Sequence, residues 1–156
     1  MWWTVLGLAL ALAGSAGPAA AGSPPDHQIF DSWNDSGCGV YSVAFIDITA
    51  PTHLSRVQLK WMWDAGEAST PFTVTTADDE KIGDGTLTRG GDCHALKEEW
   101  CVAEGAPNLD LAPGTYKIVT EREAICQNPD SKGSGFVRAF GYETSGAKPG
   151  GAEPSR

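Results

Sequence analysis

Hydrophobic and polar positions alternate along most of the chain, with the two-residue period of a strand whose faces meet different surroundings. The clearest run is Leu54–Trp63, where Leu54, Arg56, Gln58, Lys60 and Met62 oppose Ser55, Val57, Leu59, Trp61 and Trp63. The odd-numbered face is apolar from Val57 on and is expected to meet the core. Tyr116, Ile118 and Thr120 alternate in the same way with Lys117, Val119 and Glu121, and Val40–Ile48 is rich in β-branched and aromatic residues. A closing run, Phe136–Tyr142, puts Phe136, Arg138, Phe140 and Tyr142 on one face only if Arg138 is tolerated there, so its register is left open.

Turn signals separate these runs. Pro113-Gly114 pre-sets one, Ala50-Pro51-Thr52 breaks another, and Asp78-Asp79-Glu80-Lys81 suits a hairpin. His27–Trp33, Phe72–Thr76 and Thr86–Thr88 read as further strands, the last ending at a Gly90-Gly91 break. Leu96–Ala103 reads as strand or helical turn, with Trp100 and Val102 favouring strand. Glu104–Asp110 and Gln127–Gly135 have loop composition. No amphipathic helix of useful length and no fixed-period repeat is evident. Seven to eight short strands with turn signals roughly every 8–12 residues predict an all-β fold, an antiparallel β-sandwich of jelly-roll type.

Composition adds a compartment. Residues 1–21 carry no charge, the apolar run Trp2–Ala13 falls short of the roughly 20 residues that span a bilayer, and Ala19-Ala20-Ala21 suits a signal-peptidase cut. The expected organisation is a signal peptide at 1–21, one domain at 22–143 and a disordered Gly/Pro/Ala/Ser-rich tail at 144–156. The chain is therefore expected to be secreted or periplasmic, without a membrane span. A formal net charge of −9 argues against nucleic acid and anionic membrane as partners.

The four cysteines, Cys38, Cys93, Cys101 and Cys126, suggest two disulfides with three pairings open. The reading adopted is Cys93–Cys101 locally and Cys38–Cys126 across the chain, although sequence alone does not settle it. No C-x-x-C, H-E-x-x-H, G-x-S-x-G or Walker pattern occurs, so neither an enzyme activity nor a cofactor is expected.

With these residues in view, the chain resembles a module of secreted bacterial proteins that carries no assigned activity. The resemblance rests on Phe30-Asp31-Ser32-Trp33-Asn34, Trp63-Asp64-Ala65-Gly66, Ala112-Pro113-Gly114-Thr115-Tyr116, and Gln127-Asn128 with Ser131, Gly133, Gly135, Phe136, Arg138 and Gly141. Asp64 stands where that module has Asn, Ala139 departs from its closing pattern, and the cysteines look like additions. The resemblance implies a β-sandwich and export, but no ligand.

The candidate site joins Asp31, Trp33 and Asn34 of the first loop to Gln127, Asn128 and Ser131 of the closing loop, with Arg138 behind them. An indole beside amides and carboxylates is what sugar recognition uses, so an extracellular glycan or cell-envelope component is the first expectation for a partner. The competing reading has Asp31, Asn34 and Asn128 capping turns, which makes the chain a structural or protein-interaction module. A hydrolase built on dispersed carboxylates ranks a distant third. Trp61 and Trp63 share a face and are expected in the core; if exposed, they would form a ligand platform. Asp78, Asp79, Glu80 and Asp84 lack calcium-loop spacing and read as a solvated turn, and Cys93-His94 does not read as a zinc site, so no metal is expected. Asn34-Asp35-Ser36 fits the glycosylation acceptor pattern.

Overall fold

A computed structural model describes residues 25–34, 36–93 and 100–144. The expected signal segment and all but the first residue of the expected tail lie outside them, as does His94. Eleven strands fill the described chain: β1 His27–Asp31, β2 Gly39–Tyr41, β3 Val43–Ile48, β4 Thr52–Met62, β5 Ser69–Thr76, β6 Lys81–Cys93, β7 Trp100–Gly105, β8 Leu109–Leu111, β9 Gly114–Val119, β10 Ile125–Gln127 and β11 Val137–Glu143. A single 3₁₀ turn, Pro129–Ser131, interrupts them. The class is all-β and antiparallel, as expected, with more strands than expected, because the 40–48 run divides and β8 and β10 form in stretches not expected to be strands.

One hydrogen-bonded sheet contains all eleven strands. Its main order is β1-β11-β4-β7-β6-β5-β9-β3; β2 pairs with β10, while β10 and β8 each pair with β4. The sheet curls so that its two ends approach each other, β3 lying near both β1 and β11. Two bonds mark the seam: Gly135 N–H donates to the Val43 carbonyl at 2.9 Å, and Phe45 N–H donates to Ser134 Oγ at 2.9 Å. A Cβ at Gly135 would press on the Val43 carbonyl and the Ile125 side chain, so the seam needs glycine there. The concave face encloses one core drawn from Ala44, Ile46, Leu54, Val57, Leu59, Trp61, Phe72, Val74, Ile118, Val137 and Ala139. Each large apolar side chain removed from water there stabilises the fold by about 1.5–3 kcal/mol.

The alternation in β4 holds, with one change of phase. Val57, Leu59 and Trp61 are buried, yet so is Leu54, while Ser55 is not. The cause is a register shift between β4 and β11, where Phe140 pairs with Arg56 and Gly141 with Leu54. Ser55 is the extra residue, and such a bulge swaps the two faces beyond it. Gly141 is required at this point, because a Cβ would overlap the His53 carbonyl.

In β11 the inward residues are Val137, Ala139 and Gly141, which turns Arg138, Phe140 and Tyr142 outward. Arg138 is tolerated because its face is the outer one. Arg56 covers the Phe140 ring at 3.9 Å, and His53 stacks on Tyr142 at 5.0 Å.

Three expectations are corrected. The run 40–48 is two strands, because the chain changes partner at Ser42: β2 joins β10, and β3 joins β9. The Ser42 carbonyl then accepts from Thr120 N–H at 3.0 Å and Thr120 Oγ1 at 3.2 Å. Gly90-Gly91 does not end its strand; β6 continues to Cys93, paired with Cys101. The segment 104–110 is only partly loop, since β7 runs to Gly105 and β8 begins at Leu109.

Both disulfides form as expected, Cys38–Cys126 and Cys93–Cys101. Trp61 and Trp63 are core residues, 0% and 2% exposed and edge-to-face at 6.1 Å, so they form no platform. No helix among the described residues is long and apolar enough to cross a membrane.

Candidate functional site

The Cys38–Cys126 bond fastens the segment after β1 to β10, with the two Cα atoms 5.0 Å apart. The two polar stretches singled out from the sequence therefore meet, and they divide into two clusters.

The first is Asn34, Asn128 and Ser131. The two asparagine amides pair reciprocally: Asn34 Nδ2 donates to Asn128 Oδ1 at 3.1 Å, and Asn128 Nδ2 donates to Asn34 Oδ1 at 2.7 Å. Asn128 Nδ2 also donates to the Gly37 carbonyl at 3.1 Å, while its Oδ1 accepts from Ser131 N–H, closing a capping box on the 3₁₀ turn. Asn34 Oδ1 accepts from Ser36 N–H at 3.0 Å, an Asx turn. Asn128 and Ser131 are buried, and both amide hydrogens of Asn128 are used within the protein. Gln127 lies beside this cluster, lining a shallow hollow with Ser36, Gly37, Gly39 and Pro129.

The second cluster is Asp31, Trp33 and Arg138. Asp31 Oδ1 accepts from Trp33 N–H at 2.9 Å, and Asp31 Oδ2 accepts from Arg138 Nε at 3.1 Å. The Arg138 guanidinium lies 4.1 Å from the centre of the Trp33 ring, an arrangement that joins cation–π attraction to planar stacking. Trp33 Nε1 is buried and has no partner among the described residues.

Trp33 stands between two concavities. On one side is a hollow of about 520 Å³ lined by Phe30, Asp31, Trp33, Asn34, Phe45, Asp47, Asp130, Ser131 and Lys132, which is the rim the sequence pointed to. On the other is a groove of about 800 Å³ on the outer sheet face, lined by Trp33, Arg138, Gln58, Thr88, Arg89, Gly90, Gly91, Val102 and Glu104.

Most of the groove was missed at the sequence level. Its signal was present, since Arg56, Gln58 and Lys60 are the polar half of the same alternation that placed Val57, Leu59 and Trp61 in the core. On its floor, Glu104 Oε2 accepts from Gln58 Nε2 at 2.7 Å and from Arg56 Nη1 at 2.8 Å. The Gln58 bond, helped by Arg56, holds the Glu104 carboxyl below the ordinary carboxylate range against the opposing effect of partial burial.

The acidic turn does not assemble a site. Asp79 adopts φ 67° in the β5–β6 hairpin and pairs with Lys117 at 2.8 Å, while Asp84 pairs with Lys81 along β6. Among the described residues no group of three or more His, Cys, Asp or Glu side chains could hold a metal ion.

The fold and site together define an all-β domain with two disulfides and an aromatic–guanidinium ridge between two concavities. Comparison with family models, with curated proteins and with solved structures brings no match.

Proposed function

We propose that this chain is a secreted, non-catalytic β-domain that binds an extracellular ligand, a glycan by first preference, at the Trp33–Arg138 ridge. The observation that carries the reading is the ridge itself: an indole held by a guanidinium at 4.1 Å and bordering two concavities. A flat apolar surface beside fixed planar hydrogen-bonding groups suits a sugar, whose C–H face is apolar and whose edge is hydroxylated. Export agrees with two disulfides, which persist in oxidising compartments, and with the motif resemblance to secreted bacterial modules.

The second reading, a structural or protein-interaction module, is favoured by the Asn34–Asn128–Ser131 cluster, whose polar groups serve the fold. Titration calorimetry against a panel of oligosaccharides, on the parent chain and on Trp33→Ala, separates the two. Sugar binding that weakens about tenfold or more without the indole supports the first. A panel without a binder leaves the second.

A further inference from the structure

We infer that the ligand lies on the outer sheet face, crossing the strands along a row of polar side chains, and that it is a neutral polyhydroxylated chain. This rests on the glycan reading and adds where the chain lies and what charge it carries.

The row follows from strand register. Asp31 of β1 pairs with Arg138 of β11, Arg138 with Gln58 of β4, Gln58 with Glu104 of β7, and Glu104 with Thr88 of β6. Five neighbouring strands thus present one polar side chain each, and from Arg138 to Thr88 these line the groove floor. Neighbouring strands are roughly 5 Å apart, so the polar groups recur at an even spacing similar to the advance of one pyranose ring in an extended chain. Trp33 closes one end of the row, over Arg138.

The donors and acceptors along it are of the kind a hydroxyl engages. Arg138 spends Nε on Asp31, and Gln58 spends Nε2 on Glu104, while Glu104 receives both of its bonds on Oε2. Arg138 Nη1 and Nη2, Gln58 Oε1 and Glu104 Oε1 have no partner among the described residues. Thr88 Oγ1 donates to the Glu104 carbonyl at 3.3 Å and keeps its lone pairs. A hydroxyl both gives and takes a hydrogen bond and can follow donors at one end with acceptors in the middle.

Charge selects neutrality. Both carboxylates of the row already hold a cation, Asp31 that of Arg138 and Glu104 that of Arg56. An anionic chain would find Arg138 and Arg89 in the groove lining, Arg89 already donating from Nη2 to Cys101 Sγ at 3.5 Å. Along the row, however, it would meet the unpaired acceptors of Gln58 and Glu104, and it would approach a protein of formal net charge −9.

Gly90 and Gly91 leave the groove open beside Thr88. Gly91 lines the groove and a Cβ there would meet nothing within 4 Å, so a large side chain fits at this point of the groove wall without disturbing the backbone.

The test uses the full chain with linear oligomers of glucose, xylose, mannose and N-acetylglucosamine, and oligogalacturonate as the acidic arm, titrated at low salt and at about 0.5 M salt. At least one neutral oligomer is expected to bind with little change across the salt range. Binding should weaken about threefold to tenfold in Thr88→Val and about tenfold or more in Gly91→Leu through steric exclusion. Both variants should keep the parent's melting transition. Preferential binding of oligogalacturonate that fades with salt overturns the neutral assignment. If Trp33→Ala abolishes sugar binding while Thr88→Val and Gly91→Leu bind like the parent, the ligand occupies the opposite hollow; this inference then fails and the glycan reading stands. If no sugar binds, both fail.

Discussion

Asn34, Asn128 and Ser131 on one side of Trp33, and Arg138, Gln58, Glu104 and Thr88 on the other, are two polar assemblies of similar size with opposite character. In the first, the amides answer one another and the remaining bonds go to loop backbone, so the hydrogen-bonding groups of Asn128 are consumed internally. In the second, each side chain makes one or two bonds and keeps further donors or acceptors facing a groove. The difference teaches that a density of polar residues in loops marks where backbone must be satisfied, whereas binding capacity lies in polar groups left over after the fold is served.

The comparison breaks most readily at the disulfide that closes the first assembly. Cys38 and Cys126 are 88 residues apart in sequence, and cross-linking them restricts the unfolded chain by about 4–5 kcal/mol in the chain-entropy model. The double variant Cys38→Ala/Cys126→Ala is expected to lose stability of that order in chemical denaturation. Under conditions where it remains folded, it should keep the outer-face groove, whose strands β11, β4, β7 and β6 are tied by their own ladders and by Cys93–Cys101. A loss below about 1 kcal/mol would mean that the corner is held by its amides alone, against the same estimate.

A smaller effect is expected from Asn128→Ala. It strips partners from Asn34, from the Gly37 carbonyl and from Ser131 N–H at a buried position. Ser131 is buried, Asn34 half-buried and Gly37 exposed, so the loss is expected to be about 1–3 kcal/mol. Thermal unfolding should show that loss, while the affinity of the folded fraction for any bound sugar should match the parent. Lost affinity without lost stability would move Asn128 from the fold to the site and erase the contrast.

What the sequence made legible follows from how local each signal is. The buried face of β4 could be read from alternation because every second side chain answers to the same core. The bulge at Ser55 could not, because it arises from pairing with a strand more than 80 residues away, at the Gly141–His53 approach. The meeting of the two loops was readable once Cys38 and Cys126 were paired, since a covalent bond overrides distance along the chain. The split of the 40–48 run was hidden, because Ser42 changes partner through bonds to Thr120, and no local property of Ser42 announces it. The groove was hidden for a related reason. Gln58, Glu104 and Thr88 are ordinary outward residues of three separate strands, and only their register sets them in one row. Asn34 and Asn128 showed the reverse, since their residue types suit a site as well as a turn, and only the partners of their amides distinguish the two.

The finest test concerns the floor of the groove. Glu104 keeps its charge below the ordinary carboxylate range, first through the Gln58 hydrogen bond and then through Arg56, with partial burial opposing both. A group whose folded pKa is depressed contributes stability that is present above its unfolded value and lost as pH falls through the folded one. The parent should therefore be more stable than Glu104→Gln at neutral pH, with the gap closing as acid protonates the carboxylate. The gap should stay below about 1 kcal/mol, because the Arg56–Glu104 pair is half-open to water and screened. Unfolding free energies of both chains across the acid range measure it directly. A gap that persists below the folded pKa would show that the substituted amide disturbs packing instead of charge, and Glu104 would then belong with Asn128 among the side chains spent on the fold.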